Sequence, residues 1–131
     1  MRYVVDASSV VAYLLGEASD AERGAMLGDV HAPGLIDVEV TQTLRGLLRG
    51  SKVGPATAEL GRTELAQLAV RRHPDLRLLR RTWELRDVCT TYDALYVALA
   101  EALDAALVTR DSRLAQGVDA LVDVIVPPSP R

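Results

Sequence analysis

The chain has 131 residues, 49% of them apolar, a length and composition sufficient for one compact core without disulfide or metal staples, so a single domain over 1–131 is expected. Its formal net charge of −3 excludes a general nucleic-acid-coating protein, which would be basic overall, but not an enzyme that acts on one RNA.

Tyr3-Val4-Val5 is a short β-branched and aromatic run that ends on Asp6. Ser8 and Ser9 then stand as cap residues for a helix from Val10 to Leu15, which Gly16 stops. Asp20 to Leu27 reads as a second helix ended by Gly28, and Val30-His31-Ala32 as a weak strand before Pro33-Gly34. A long helix is predicted from Leu35 to Arg49, closed by Gly50. Pro55 suits the first turn of the next, which runs to about Val70 with Leu60, Leu65, Leu68 and Ala69 on its apolar side, although Gly61 weakens it. Residues 71 to 74 read as a brief extended segment. Asp75 caps a helix to Asp87 whose apolar side is Leu76, Leu79 and Trp83. Arg71, Arg72, Arg77, Arg80, Arg81 and Arg86 cluster there, either as the solvated face of that helix or as a face for a phosphate backbone.

From Ala94 to Ala100 no charge interrupts the chain, the mark of a helix buried on most sides. Ala106-Leu107-Val108-Thr109 reads as a strand of a parallel sheet, closed by Arg110-Asp111, with Ser112 to Ala115 a short helix behind it. Leu121 to Val126 is a last strand, which Pro127-Pro128-Ser129-Pro130 cannot continue. The apolar runs fall far short of the roughly 18 residues of a membrane span, and Met1-Arg2 leads straight into a strand, so a soluble cytoplasmic protein is expected. Cys89 has no partner for a disulfide or a metal pair and reads as a buried, inert thiol.

Strands separated by helices predict an α/β fold, a central parallel sheet of four to five short strands covered on both faces. Ligands of such sheets bind beyond the carboxyl ends of the strands. Asp6 and Asp111 lie on that edge, and Asp93 opens the buried helix beneath it. Glu39 lies within the first two turns of the helix from Leu35, beside the stripe Ile36, Val40, Leu44 and Leu47. Each acid also has a local role: Asp6 and Asp111 as helix caps, Asp93 in a capping box with Thr90, Glu39 as a helix-start acid. Together they call for a cation. Two unit charges about 5 Å apart at an effective dielectric near 20 repel by roughly 3 kcal/mol, and magnesium or manganese, which take oxygen ligands, would relieve this. His31 and His73 lie far apart without a cysteine partner, which argues against zinc and places both on the surface.

The segments VVDASSVVAYLL, VEVTQTLRGLLRG and TTYDALYVALAEALDAALVTRDSRL resemble the PIN-domain nucleases, and among them the VapC-type toxins of bacterial toxin–antitoxin modules. The resemblance implies a PIN-like three-layer α/β/α sandwich. It assigns Mg²⁺ or Mn²⁺ to Asp6, Glu39, Asp93 and Asp111, with Ser8 or Thr109 as hydrogen-bonding supports. It further implies endonucleolytic cleavage of RNA by a metal-activated water, a homodimer, and a VapB-like antitoxin whose C-terminal segment blocks the site. Two residues depart from the pattern. Asp104 stands where similar sequences often carry glycine, and Arg110 where a small residue is expected. Arg110 reads as a partner of the acids, a contact to RNA phosphate, or an outward-pointing side chain. The other reading of the chain is a PIN-like RNA- or protein-binding module without catalysis. A phosphoacceptor domain fits less well, because Met1 to Val5 carries no acid and Lys52 is the only lysine.

Overall fold

The structure, a computed structural model, describes residues 1–128. The predicted stop at Ser129-Pro130 lies outside them. Five short strands, β1 (Arg2–Val5), β2 (Asp29–Pro33), β3 (Arg71–His73), β4 (Ala106–Val108) and β5 (Val124–Ile125), pair in parallel in the order β3-β2-β1-β4-β5. The chain winds outward from β1 to β3, then returns to β4 on the other side of β1. The order therefore reverses between β1 and β4, where such sheets open a crevice at their carboxyl edge. Val4, Val5, Ala32, Leu107 and Val108 are fully buried, which is why the inner strands read as unbroken apolar runs.

Seven helices complete the described chain: α1 (Ala7–Leu14), α2 (Asp20–Met26), α3 (Leu35–Arg49), α4 (Pro55–Leu65), α5 (Leu79–Glu84), α6 (Thr91–Leu103) and α7 (Ser112–Val118). Successive strand residues point to opposite faces. Arg2 reaches the Leu103 carbonyl at the end of α6, while the Tyr3 ring lies against Gly28 just after α2. So α6 and α2 cover opposite faces, and the sheet is the middle of three layers. Every residue of α6 from Ala94 to Ala100 is at most 4% exposed, as its uncharged sequence predicts. No helix among the described residues is long and apolar enough to cross a membrane.

Helix α3 has the predicted bounds, because Pro33-Gly34 and Gly50 punctuate it on both sides. Asp104, the residue at the expected glycine, ends α6 with a left-handed φ of 51°, a conformation glycine adopts without penalty. Elsewhere the predicted elements shift, each for a physical reason. Helix α1 starts at Ala7, earlier than predicted, because Asp6 is its cap in place of the serines. Helix α4 stops at Leu65 rather than near Val70. The Arg72 guanidinium donates to the carbonyls of Leu65, Leu68 and Val70 and pairs with Asp37, so those carbonyls are satisfied without further helix. Its inward face is Ala58, Gly61 and Leu65, with Leu60 58% exposed. Gly61 packs against Leu44, and a Cβ there would meet both Leu44 methyls at 3.5 Å, an ordinary contact.

After β3 the chain forms a 3₁₀ turn, Asp75–Leu78, before α5, rather than one helix to Asp87. Because a 3₁₀ turn advances more degrees per residue than an α-helix, the inward face becomes Leu78, Thr82 and Leu85. The predicted apolar side faces solvent instead, with Leu76 80%, Leu79 42% and Trp83 68% exposed and Arg86 stacked 4.9 Å from the Trp83 ring. His31 is buried, not superficial: its Nδ1 lies 2.8 Å from His73 Nε2 and its Nε2 2.7 Å from Asp29 Oδ1. It sits on an inner strand, where an imidazole needs partners on both nitrogens. Cys89 is half-buried against the core. Helix α7 continues to Val118, whose carbonyl accepts from the N–H groups of Leu121 and Val122, and β5 is left with two residues.

Candidate metal centre

Asp6 leaves β1 at the switch point. Its Oδ1 accepts from Ser9 N at 3.2 Å, capping α1, and from the Ser8 hydroxyl at 2.6 Å. The fully buried Thr109, next after β4, donates its hydroxyl to Asp6 Oδ2 and accepts from Asp111 N at 3.1 Å. One threonine thus ties the two aspartates that end neighbouring strands. Asp111 also caps α7, its Oδ1 accepting from Leu114 N at 3.0 Å. Asp93 lies in the first turn of α6, where Thr90 caps by accepting the Asp93 N–H at 3.2 Å, a bond that does not use the Asp93 carboxylate. Glu39, in the second turn of α3, accepts from the Tyr96 hydroxyl at 2.5 Å.

The same set is coupled electrostatically. Burial raises the pKa of Asp6; bonds from Ser8, Thr109 and Ser9 N oppose the rise, and the Asp93 charge adds to it. Burial raises Glu39 against the Tyr96 bond, and the charges of Asp93, Asp6 and Asp75 raise it further. Asp93 rises through burial and the Asp111 charge, against the opposing effect of Thr90. Burial, together with the hydrogen bond to Glu39, holds the Tyr96 phenol protonated well above its ordinary range. The four predicted acids therefore feel one another across four elements, although they are up to 105 positions apart in sequence (Asp111 minus Asp6).

Three residues of this neighbourhood escaped the sequence reading. Tyr96 reads as one more apolar residue of α6. Asp75 reads as a cap for its own helix, yet its Oδ1 accepts from Leu35 N at 3.2 Å, fixing the start of α3 below Glu39. Its signal was its place just beyond a strand end, which it shares with Asp6. Glu22 is fully buried and makes a reciprocal capping box with Ser19. Its signal was the Ser19-x-x-Glu22 spacing.

Glu22 also resolves Arg110. The Arg110 guanidinium grips it with two bonds, Nε to Oε2 at 2.9 Å and Nη2 to Oε1 at 2.7 Å, and reaches the Glu17 carbonyl at 3.3 Å. Its bonds go to Glu22 and the Glu17 carbonyl rather than to the metal acids, and a quarter of the side chain stays exposed. Burial alone would raise the Glu22 pKa, but the bonds from Arg110 and Ser19 N outweigh it and bring the carboxyl down to about 2.

A divalent cation fits these donors by their chemistry. They are all oxygens, they repel one another, and the arginine nearest in sequence to Asp111 is engaged elsewhere. In the present rotamers no three acid, histidine or cysteine groups among the described residues are disposed to share one ion. Hydrogen bonds engage both oxygens of Asp6 but only Oε1 of Glu39 and Oδ1 of Asp111, so the second oxygen of each of these two acids is left for an ion.

A parallel α/β/α sandwich with carboxylates gathered at its switch point defines an acid-lined α/β domain. Residues 3–118 match the PIN domain family. Ribonuclease VapC9 of Mycobacterium tuberculosis is 40% identical over 125 residues, 95% of this chain and 98% of that protein. Ribonuclease VapC1 of the same organism is 43% identical over 116 residues, 86% and 87% of the two chains. The chain belongs to the PIN-domain family, among the VapC ribonucleases. In fold it is similar to FitAcB from Neisseria gonorrhoeae, with a TM-score of 0.69 at 17% identity over 95% of this chain and 97% of that one. VapBC2 from Rickettsia felis, bound to a DNA fragment from their promoter, gives 0.66 at 12% identity over 98% and 100%. Both likenesses bear out the expected sandwich.

Proposed function

We propose that the chain, as one domain over 1–131, is a cytoplasmic toxin endoribonuclease whose Asp6, Glu39, Asp93 and Asp111 hold Mg²⁺ or Mn²⁺, with a VapB-like antitoxin as its partner. The observation that carries the metal reading is the gathering of four carboxylates at the switch point, three of them, Asp6, Glu39 and Asp93, raised by burial and by neighbouring acids, with Arg110 turned away to Glu22. Kinship with the VapC ribonucleases supports RNA as substrate. When bound, a divalent ion supplies a lowered pKa for water and charge neutralisation at the scissile phosphate. The residues of the chain do the rest. Ser8 and Thr109 hold the two oxygens of Asp6, Thr109 also fixes the backbone of Asp111, and Arg110 braces the loop that carries both. No serine or histidine nucleophile is required. Cleavage is expected with Mg²⁺ and lost in EDTA, with 5′-phosphate ends on the products. EDTA-resistant cleavage or a 2′,3′-cyclic phosphate contradicts this mechanism.

The homodimer is the second partner in the proposal, and the exposed Leu76, Leu79 and Trp83 form the face we assign to it. The rim of that face carries both signs, Arg77, Arg80 and Arg86 beside Glu84 and Asp87, and so suits a second copy better than a polyanion. Trp83→Glu should yield a folded monomer in analytical ultracentrifugation. A dimer that survives the substitution removes the face from the interface.

A further inference from the structure

The Tyr96 hydroxyl has no packing explanation. The residue is 2% exposed inside α6, and phenylalanine would fill the same volume without a polar atom to satisfy. The hydroxyl instead crosses to α3 and donates to Glu39 Oε1 at 2.5 Å. Tyr96 follows Asp93 by three positions on α6, so the two share one helix face. The start of α3 is pinned independently by Asp75, one turn before Glu39.

We infer that Tyr96 is a positioning residue: its hydroxyl holds one oxygen of Glu39 and presents the other toward Asp93, setting how Glu39 approaches the divalent ion. This rests on the metal reading above. Glu39 is a long side chain, half-buried and repelled by Asp6 and Asp93, so without an anchor it would turn away from the other acids toward solvent. A bond from a buried phenol on the helix that carries Asp93 opposes that repulsion and couples the two acids mechanically. Partners of this kind, which touch a ligand but not the ion, typically change metal affinity by about 10- to 100-fold.

The test is a Mn²⁺ titration of the metal-free chain by calorimetry, run on the wild type, Tyr96→Phe, Glu39→Gln and the double variant. Tyr96→Phe should weaken Mn²⁺ binding about tenfold while keeping a near-native melting temperature. In the Glu39→Gln background the same change should alter affinity by less than about twofold, because no carboxylate remains to be placed. An unchanged affinity in Tyr96→Phe overturns the inference. So does an equal loss in both backgrounds, which is the mark of a packing role. Absence of Mn²⁺ binding by the wild type overturns the metal reading and this inference with it, whereas wild-type binding that Tyr96→Phe leaves untouched overturns this inference alone.

Discussion

Arg110→Ala should destabilise the protein by about 3–5 kcal/mol, the usual cost of stripping one partner from a buried ion pair. Glu22 has no exposed side-chain surface, and its charge would be left with the Ser19 N–H bond alone. In a domain of this size that is a fall in melting temperature of roughly 10–15 °C. Arg110→Lys keeps the charge but loses the two-pronged grip, and should fall between wild type and alanine. The sign of the pH dependence follows from Glu22. Its folded pKa lies at about 2 against an ordinary 4.5, so its stabilisation is present above pH 4.5 and is lost as the pH falls through 2. The gap between wild type and Arg110→Ala should therefore close across that interval in thermal melts. A gap that persists to pH 2 would mean that the pair is not the source of the stability.

Asp93→Asn should move activity and stability in opposite directions. Cleavage should fall by about 10³-fold or more, since a metal site supplies several kcal/mol of transition-state stabilisation at 1.36 kcal/mol per factor of ten. Without metal, the variant should melt a few degrees higher, by on the order of 1 kcal/mol, because one charge leaves a repelling set. The local helix-start role of Asp93 opposes this by about 0.3–1 kcal/mol. The pH dependence has the opposite sign from that of Glu22. Asp6, Glu39 and Asp93 have raised pKa values, so their contribution to stability is full below the ordinary carboxylate range and is lost as the pH rises through the folded values. Metal-free wild type should thus gain stability as the pH falls through the raised carboxylate values, and Asp93→Asn should flatten that slope. A variant that melts clearly lower at every pH shows that the N-terminal turn of α6, and not the charge cluster, is what Asp93 serves.

Local punctuation carried the sequence reading where the chain has it. Pro33-Gly34 and Gly50 bracket α3, and Thr90 marks the start of α6. The four candidate acids were legible because strand ends and helix starts are themselves legible, and the sheet brings such ends to one edge. What was not legible depends on partners distant in sequence. Arg110 and Glu22 are 88 residues apart, Tyr96 and Glu39 57 apart, and neither pair leaves a local pattern that names the other. The end of α4 is decided by Arg72 reaching back to the Leu65, Leu68 and Val70 carbonyls, a tertiary contact that overrides helix propensity. The exposure of Leu76, Leu79 and Trp83 follows from a single 3₁₀ turn that rotates the face of the next helix. A helical period laid on that stretch chooses the wrong side.

The central claim is that the acids at the switch point are placed for a divalent cation, and the most direct measurement is the melting temperature of EDTA-stripped protein as Mn²⁺ is added back. The wild-type melting temperature should rise with Mn²⁺, as binding adds RT ln(1 + [Mn²⁺]/Kd) to the unfolding free energy, with the rise lost in Asp93→Asn and reduced in Asp6→Asn. A wild-type melting temperature indifferent to Mn²⁺, or an equal rise in Asp93→Asn, would contradict it.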